Sequence, residues 1–165
     1  ASTMAGEALV QAYHRCYGME FIIFRFSNVY GMYDESNRVI PLFLRLCKHN
    51  KEIIVFGKKK KLDFTYVDDV ADGIFASVRR FSKAKNRTMN IAFGRGSTIF
   101  SVAEKIKAAL ASSSKITVAE NRTGEIIKYV ADVSLAKKIL GFKPKTSLDE
   151  GIELSVGWYK SRGLI

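Results

Sequence analysis

Segments with a helical apolar period alternate with short strand-like runs along almost the whole chain, an order that limits the fold to an α/β class built on a parallel sheet. Met4 to Tyr17 sets Met4, Leu9, Ala12, Tyr13 and Cys16 on one side of a helix, with Gly18 as its C-terminal stop. Glu20 to Phe26 follows as a strand, and its unbroken run Phe21-Ile22-Ile23-Phe24 predicts burial on both faces. After a polar loop from Gly31 to Asn37, Val39 to Lys48 reads as a short helix burying Val39, Leu42, Phe43 and Leu46. Ile53 to Phe56 is a strand, Gly57 with Lys58 to Lys61 a solvated turn, and Asp63 to Val67 a short extended piece. Asp68 or Asp69 caps a helix through about Phe81 that turns Val70, Ile74, Val78 and Phe81 to the core. Thr88 to Phe93 is strand-like, and Gly94-Arg95-Gly96 is a loop. Ser101 with Glu104 forms a capping box for a helix burying Val102, Ile106 and Leu110, and Ile116 to Val118 is a last short strand. Asp132 caps a helix ending at Leu140-Gly141, and Ser147 with Glu150 caps a final one through Lys160.

Composition narrows the function classes. The 165 residues are 47% hydrophobic and 26% charged, the balance of one globular domain. No apolar run approaches the roughly 20 residues that span a bilayer, and the opening residues do not read as a secretory signal. Cys16 and Cys47 lack metal-type spacing, so a cytoplasmic, reduced protein without a metal is expected. The net charge of +11 fits either a Lys-rich solvated surface or an anionic partner such as nucleic acid, an acidic membrane surface or a phosphorylated small molecule. Nucleic acid is the weaker expectation, because no aromatics interleave the basic residues and no nucleic-acid-binding motif is present.

Several short stretches add chemistry. In order they are Gly6-Glu7-Ala8-Leu9, Arg25-Phe26-Ser27-Asn28-Val29-Tyr30-Gly31, Arg38-Val39-Ile40-Pro41 and Val55-Phe56-Gly57. Leu62-Asp63-Phe64-Thr65-Tyr66-Val67-Asp68-Asp69, Arg122-Thr123-Gly124-Glu125 and Leu140-Gly141-Phe142-Lys143-Pro144 complete the series. Each is weak alone. Together, over nearly the whole chain, they resemble the extended short-chain dehydrogenase/reductase family, specifically its NAD-dependent nucleotide-sugar epimerases and dehydratases. The likeness is greatest to the UDP-glucose (UDP-galactose) 4-epimerase members and covers their C-terminal portion.

The resemblance implies a Rossmann-type core with a small α/β substrate-binding part. Residues 1–31 and 62–94 would belong to the core, and residues 32–61 and 95–165 mostly to the sugar-nucleotide-binding part. Phe26 and Ser27 would lie beside the nicotinamide of NAD. Asn28 would bond the diphosphate or the sugar, Arg38 and Val39 would contact the diphosphate, and Phe56 would stack on uracil. Arg122 would pair with the diphosphate, and Glu125 would accept from ribose hydroxyls. This set also makes independent sense, because a UDP-sugar presents two phosphate charges, a flat base and a diol. The implied partner is a UDP-sugar, in a homodimer when intact, and the implied reaction inverts C4 through a 4-keto intermediate. A 4,6-dehydratase or decarboxylase of the same family is the alternative.

Three departures follow. An Arg that binds phosphate in the family is replaced by Leu62, and Lys60 or Lys61 could supply a charge there without the guanidinium fork. No G-x-G-x-x-G turn for NAD occurs in the chain. Of the catalytic Tyr-x-x-x-Lys pair, Thr3 occupies the Lys position and the Tyr would fall before Ala1, so no catalytic residue is expected here. Either the first three residues are foreign to the natural protein or the pair is naturally lost. On both readings this chain alone is expected not to turn over.

Overall fold

The computed structural model describes residues 2–165; Ala1 lies outside the described residues. Strand β1 (Ile22–Phe26) pairs in parallel with β5 (Arg87–Ile91), setting Phe24 opposite Met89 and Phe26 opposite Ile91. Alternate side chains go to opposite faces. On one face Ile22, Phe24, Met89 and Ile91 meet Val70 of α3 (Val67–Arg79), Ala84 of α4 (Phe81–Ala84), and Ala136 and Leu140 of α6 (Ser134–Leu140). On the other face Arg25 donates two hydrogen bonds, 2.8 and 2.6 Å, to the carboxylate of Glu7 in α1 (Ser2–Tyr17). Helices on both faces of a parallel pair form part of a Rossmann-type layering.

Burial of β1 on both faces is not observed. Its side chains are half-buried or exposed, because among the described residues β5 is its one strand neighbour. The expected core side of α1 is also corrected. Met4, Leu9 and Tyr13 are exposed, while Glu7, Val10 and His14 are partly covered. The Glu7–Arg25 pair sets the rotation of the helix, and Leu9 lies about 200° around it from Glu7.

The second core is larger. Strand β4 (Lys61–Tyr66) pairs in parallel with β2 (Asn28–Tyr30) and with β8 (Lys128–Tyr129), and antiparallel with β6 (Gly96–Thr98). Strand β3 (Ile53–Phe56) pairs in parallel with β7 (Ile116–Ala119). Around these strands pack α2 (Val39–Lys48), α5 (Ile99–Ala109) and α7 (Leu148–Ser161), burying Phe43, Leu44, Ile53, Val102, Ile106 and Ile152 among others. Helix α2 turns Ile40, Pro41, Phe43, Leu44 and Cys47 fully inward, whereas Val39, Leu42 and Leu46 are only partly covered. No described helix is long and apolar enough to cross a membrane.

Helix ends carry further corrections. Asp68 and Asp69 lie inside the first turn of α3, whose N-cap is Tyr66. Asp69 is buried, and its two carboxylate oxygens accept from the amides of Lys145 and Thr146 at 2.9 and 3.0 Å, tying α3 to the approach of α7. The face of α3 turned inward is Asp69, Val70, Gly73 and Ser77, while Ile74, Val78 and Phe81 are exposed. A Cβ on Gly73 would lie 2.9 Å from Ile91 and 3.1 Å from Phe142, so small residues let the helix approach the sheet and the bulky ones stay outside. In α5 the cap is Thr98, whose hydroxyl accepts from Ser101 N at 3.1 Å, and Ser101 is already helical. Ser147 caps α7 as expected, accepting from Glu150 N at 3.2 Å. Gly141 ends α6 at φ 65°, the left-handed stop its sequence position implies.

One contact between α7 and β2 gives a test of this packing. A Cβ on Gly151 would lie 2.0 Å from the Tyr30 hydroxyl, which is buried without a hydrogen-bond partner. Gly151→Ala is expected to lose about 1–3 kcal/mol of stability through overpacking. Tyr30→Phe, which removes an unpaired buried hydroxyl, is expected to be neutral or slightly stabilising and to recover part of the loss in the double variant. Urea midpoints report both, and a Gly151→Ala midpoint equal to that of the parent would contradict the packing.

Candidate functional site

The C-terminal ends of β1 and β2, the start of α2, the end of β3 and the 121–129 segment border three adjoining hollows. Open parallel sheets bind ligands beyond the carboxyl ends of their strands. The first hollow, about 340 Å³, is bordered by Phe26, Ser27, Asn28, Lys60 and Glu125. The second, about 180 Å³, shares Asn28 with the first and adds Asp34, Asn37, Arg38 and Val39. The third, about 160 Å³, shares Asn37 and Val39 with the second and Lys60 and Glu125 with the first, and adds Phe56 and Arg122. The eight binding residues expected from the sequence therefore border three hollows joined by shared wall residues, a stretch of surface that forms the candidate groove. Thr3, in the first turn of α1, is exposed and borders none of these hollows.

Each position has a local cause. Ser27 lies in the kink between β1 and β2, where its hydroxyl shares a 2.6 Å hydrogen bond with the Thr65 hydroxyl. Asn28 donates through Nδ2 to the Asp63 carbonyl at 2.9 Å, which leaves its second N–H and its side-chain oxygen for a ligand. Arg38 is the N-cap of α2 and is two-thirds exposed. Its Nε donates to Ser36 Oγ at 3.2 Å and lies 3.8 Å from Asp34 Oδ2, so the guanidinium is held against its own loop. Phe26 ends β1 with its ring 43% exposed, enough to flank a flat group.

One end of the groove is formed by Phe56 and Arg122. The Arg122 guanidinium lies over the Phe56 ring, 3.8 Å from its centroid. The ring expected to receive a base is thus already covered on one face by a cation. Glu125 is the hub beside it. Its Oε2 accepts from Lys60 Nζ at 2.7 Å, and its Oε1 lies 3.9 Å from Arg122. The Lys60 ammonium, first, and the Arg122 charge hold the Glu125 carboxyl below the ordinary carboxylate range.

Two residues beside the groove carry more than their sequence positions assign. Lys60 reads as part of a solvated turn or, with Lys61, as a substitute charge for the family's Arg, yet its side chain is only 17% exposed while Lys58 and Lys59 are open to solvent. Its amide donates to Gly57 O and its carbonyl accepts from Ile99 N, both at 3.0 Å, which pins it between β3 and α5. The second is Asp63, fully buried in β4; its backbone carbonyl accepts from the groove residue Asn28. Its Oδ2 accepts from the amides of Gly94 and Ala131 at 3.0 and 3.2 Å, and its Oδ1 has no partner. Burial pushes the Asp63 carboxyl above its ordinary value, against the lowering effect of those amides. A charged residue inside the run Leu62 to Tyr66 was the available signal for it.

The chain is similar to known proteins in sequence and fold. The sequence profile of the NAD dependent epimerase/dehydratase family matches residues 1–92. A putative UDP-glucose 4-epimerase of Methanocaldococcus jannaschii is 32% identical over 164 residues, covering 97% of this chain and 52% of that protein. A dTDP-glucose 4,6-dehydratase of Haemophilus influenzae is 28% identical, with 96% of this chain and 50% of that protein covered. The crystal structure of the UDP-glucose 4-epimerase of Thermotoga maritima with UDP-glucose superposes with a TM-score of 0.85 at 29% identity, covering 96% of this chain and 52% of that one. The chain spans about half the length of the relatives it matches. The profile match over more than half of the residues, together with the Rossmann-type layering, places this chain in the NAD-dependent epimerase/dehydratase family.

Proposed function

We propose that the groove binds a nucleotide diphosphate sugar, and that the chain serves as the substrate-binding portion of a UDP-glucose/UDP-galactose 4-epimerase. The observation that carries this reading is the convergence of Asn28, Arg38, Phe56, Arg122 and Glu125 on one groove from four separate segments. Phe56 supplies a face for the base, Arg122 and Arg38 the charges for the diphosphate, and Glu125 an acceptor for ribose hydroxyls. The sugar would then extend toward Asn28 and Ser27. The Thermotoga maritima relative, crystallised with UDP-glucose, supports the choice of ligand.

NAD, were it bound, would supply hydride-transfer chemistry at the sugar. Residues of this chain that fit beside it are Phe26 and Ser27, at the carboxyl end of β1 with an open ring and a hydroxyl. Their role is to flank a flat ring and restrict water. The Gly-rich turn and the catalytic Tyr would come from outside residues 1–165, the catalytic Lys position is the one Thr3 occupies, and residues 1–31 and 62–94 would form the core they join.

Calorimetric titration tests the reading. UDP and UDP-glucose are expected to bind with one site per chain, more tightly than dTDP. No measurable heat with UDP or UDP-glucose would remove the proposal, and a clear preference for dTDP would move it to the dehydratases.

A further inference from the structure

We infer that Lys60 is the residue that grips the diphosphate of the ligand, a role that rests on the nucleotide-sugar reading above. A ligand with its base at Phe56 and its sugar near Ser27 must lay its linker across the boundary of the first and third hollows. Lys60 and Glu125 border both hollows. Of the four consecutive lysines, Lys60 is the one that borders the groove: its backbone is held through Gly57 and Ile99, and its ammonium is paired with Glu125, whereas Lys58, Lys59 and Lys61 are exposed. Leu62, two residues on, borders the first hollow with an apolar side chain and offers nothing to an anion.

The ion pair with Glu125 gives the grip its form. In the free protein Glu125 holds the ammonium at 2.7 Å, so the cation is aimed before a ligand arrives. A diphosphate brings more charge than one carboxylate. The ammonium has three N–H donors and can keep Glu125 while bonding phosphate oxygens with the others. Glu125 thereby positions Lys60 as well as meeting the ribose. The groove should accordingly select for the diphosphate over a nucleoside.

Titrations of the 165-residue chain with UDP, uridine and inorganic pyrophosphate test this. Lys60→Met is expected to weaken UDP and pyrophosphate by about 10- to 100-fold and leave uridine unchanged. Lys60→Arg should retain most of the affinity, Lys59→Met all of it, and Leu62→Arg should rescue Lys60→Met. Circular dichroism checks that each variant is folded, and Lys60→Arg keeps the test valid if Lys60→Met is not. Equal UDP and pyrophosphate binding by Lys60→Met and the parent, or an equal loss of uridine, overturns the role of Lys60. Pyrophosphate binding that depends on Lys60 without any UDP binding would keep the grip and discard the nucleotide reading. UDP binding that ignores Lys60 does the reverse, and binding of neither ligand by the parent overturns both.

Discussion

Replacing Asp63 with alanine is expected to destabilise the chain by about 2–5 kcal/mol, the cost of leaving two buried amide donors without an acceptor. The carboxylate is fully buried in β4, and its Oδ2 is the acceptor for two amides, Gly94 N after β5 and Ala131 N before α6. It therefore joins the two apolar cores at one point, and alanine leaves both donors without a partner. Asp63→Asn keeps an acceptor for those amides and places an N–H₂ group where Oδ1 is now unpartnered, so its cost should stay near ~1 kcal/mol.

The pH dependence has a defined sign. Burial raises the Asp63 pKa above its value in the unfolded chain. Its contribution to stability is then fully present below the ordinary carboxyl value of 3.8 and is lost as the pH rises through the folded pKa. Asparagine has no such titration. The stability of the parent relative to Asp63→Asn should fall between pH 4 and the folded pKa and stay level above it. Urea unfolding at several pH values measures this. Equal midpoints for the alanine and asparagine variants would contradict the assigned network.

How far the sequence reveals this molecule depends on whether the cause is local. Ser147 capping α7, Gly141 ending α6 and the β3 strand are local events, and each is readable from residue type and spacing. The inward faces of α1 and α3 are not local. Periodicity shows that an apolar side exists, but the Glu7–Arg25 pair turns α1, and the close approach at Gly73 turns α3. Asp69 has the residue type of a cap, yet its partners are amides 76 and 77 residues along the chain. The strands β6 and β8 are three and two residues long, too short for any alternation to show.

The site divides in the same way. The motif residues Asn28, Arg38, Phe56, Arg122 and Glu125 could be singled out along the chain, but their meeting in one groove is tertiary. Within Lys58 to Lys61 the residues are chemically identical, so only the fold, which turns the Lys60 side chain onto Glu125 and leaves the other three exposed, distinguishes Lys60 from its neighbours. The cation over the Phe56 ring was likewise invisible, because Phe56 and Arg122 are joined only by the fold.

Phe56→Ala is expected to weaken UDP binding by about 10- to 100-fold, in line with the ~1–3 kcal/mol that one stacked base contributes. Pyrophosphate, which has no base, should bind the variant as it binds the parent. Arg122→Ala should weaken both ligands, since its guanidinium both covers the ring and faces the anionic end of the groove. A base entering the groove must insert beside or displace that guanidinium, so Arg122 is expected to move on binding. Parallel calorimetric titrations of the two variants separate stacking from charge. Unchanged UDP affinity in Phe56→Ala would remove the ring from the site.

The central claim is that one groove, bordered by residues from separate segments, holds a nucleotide diphosphate sugar. A titration of isotopically labelled chain with UDP-glucose, followed residue by residue by NMR, tests it most directly. Saturable shifts are predicted at Asn28, Arg38, Phe56, Lys60, Arg122 and Glu125, with α1 and the outer face of α3 unmoved. No saturable shift, or shifts confined to α1 and α3, would contradict it.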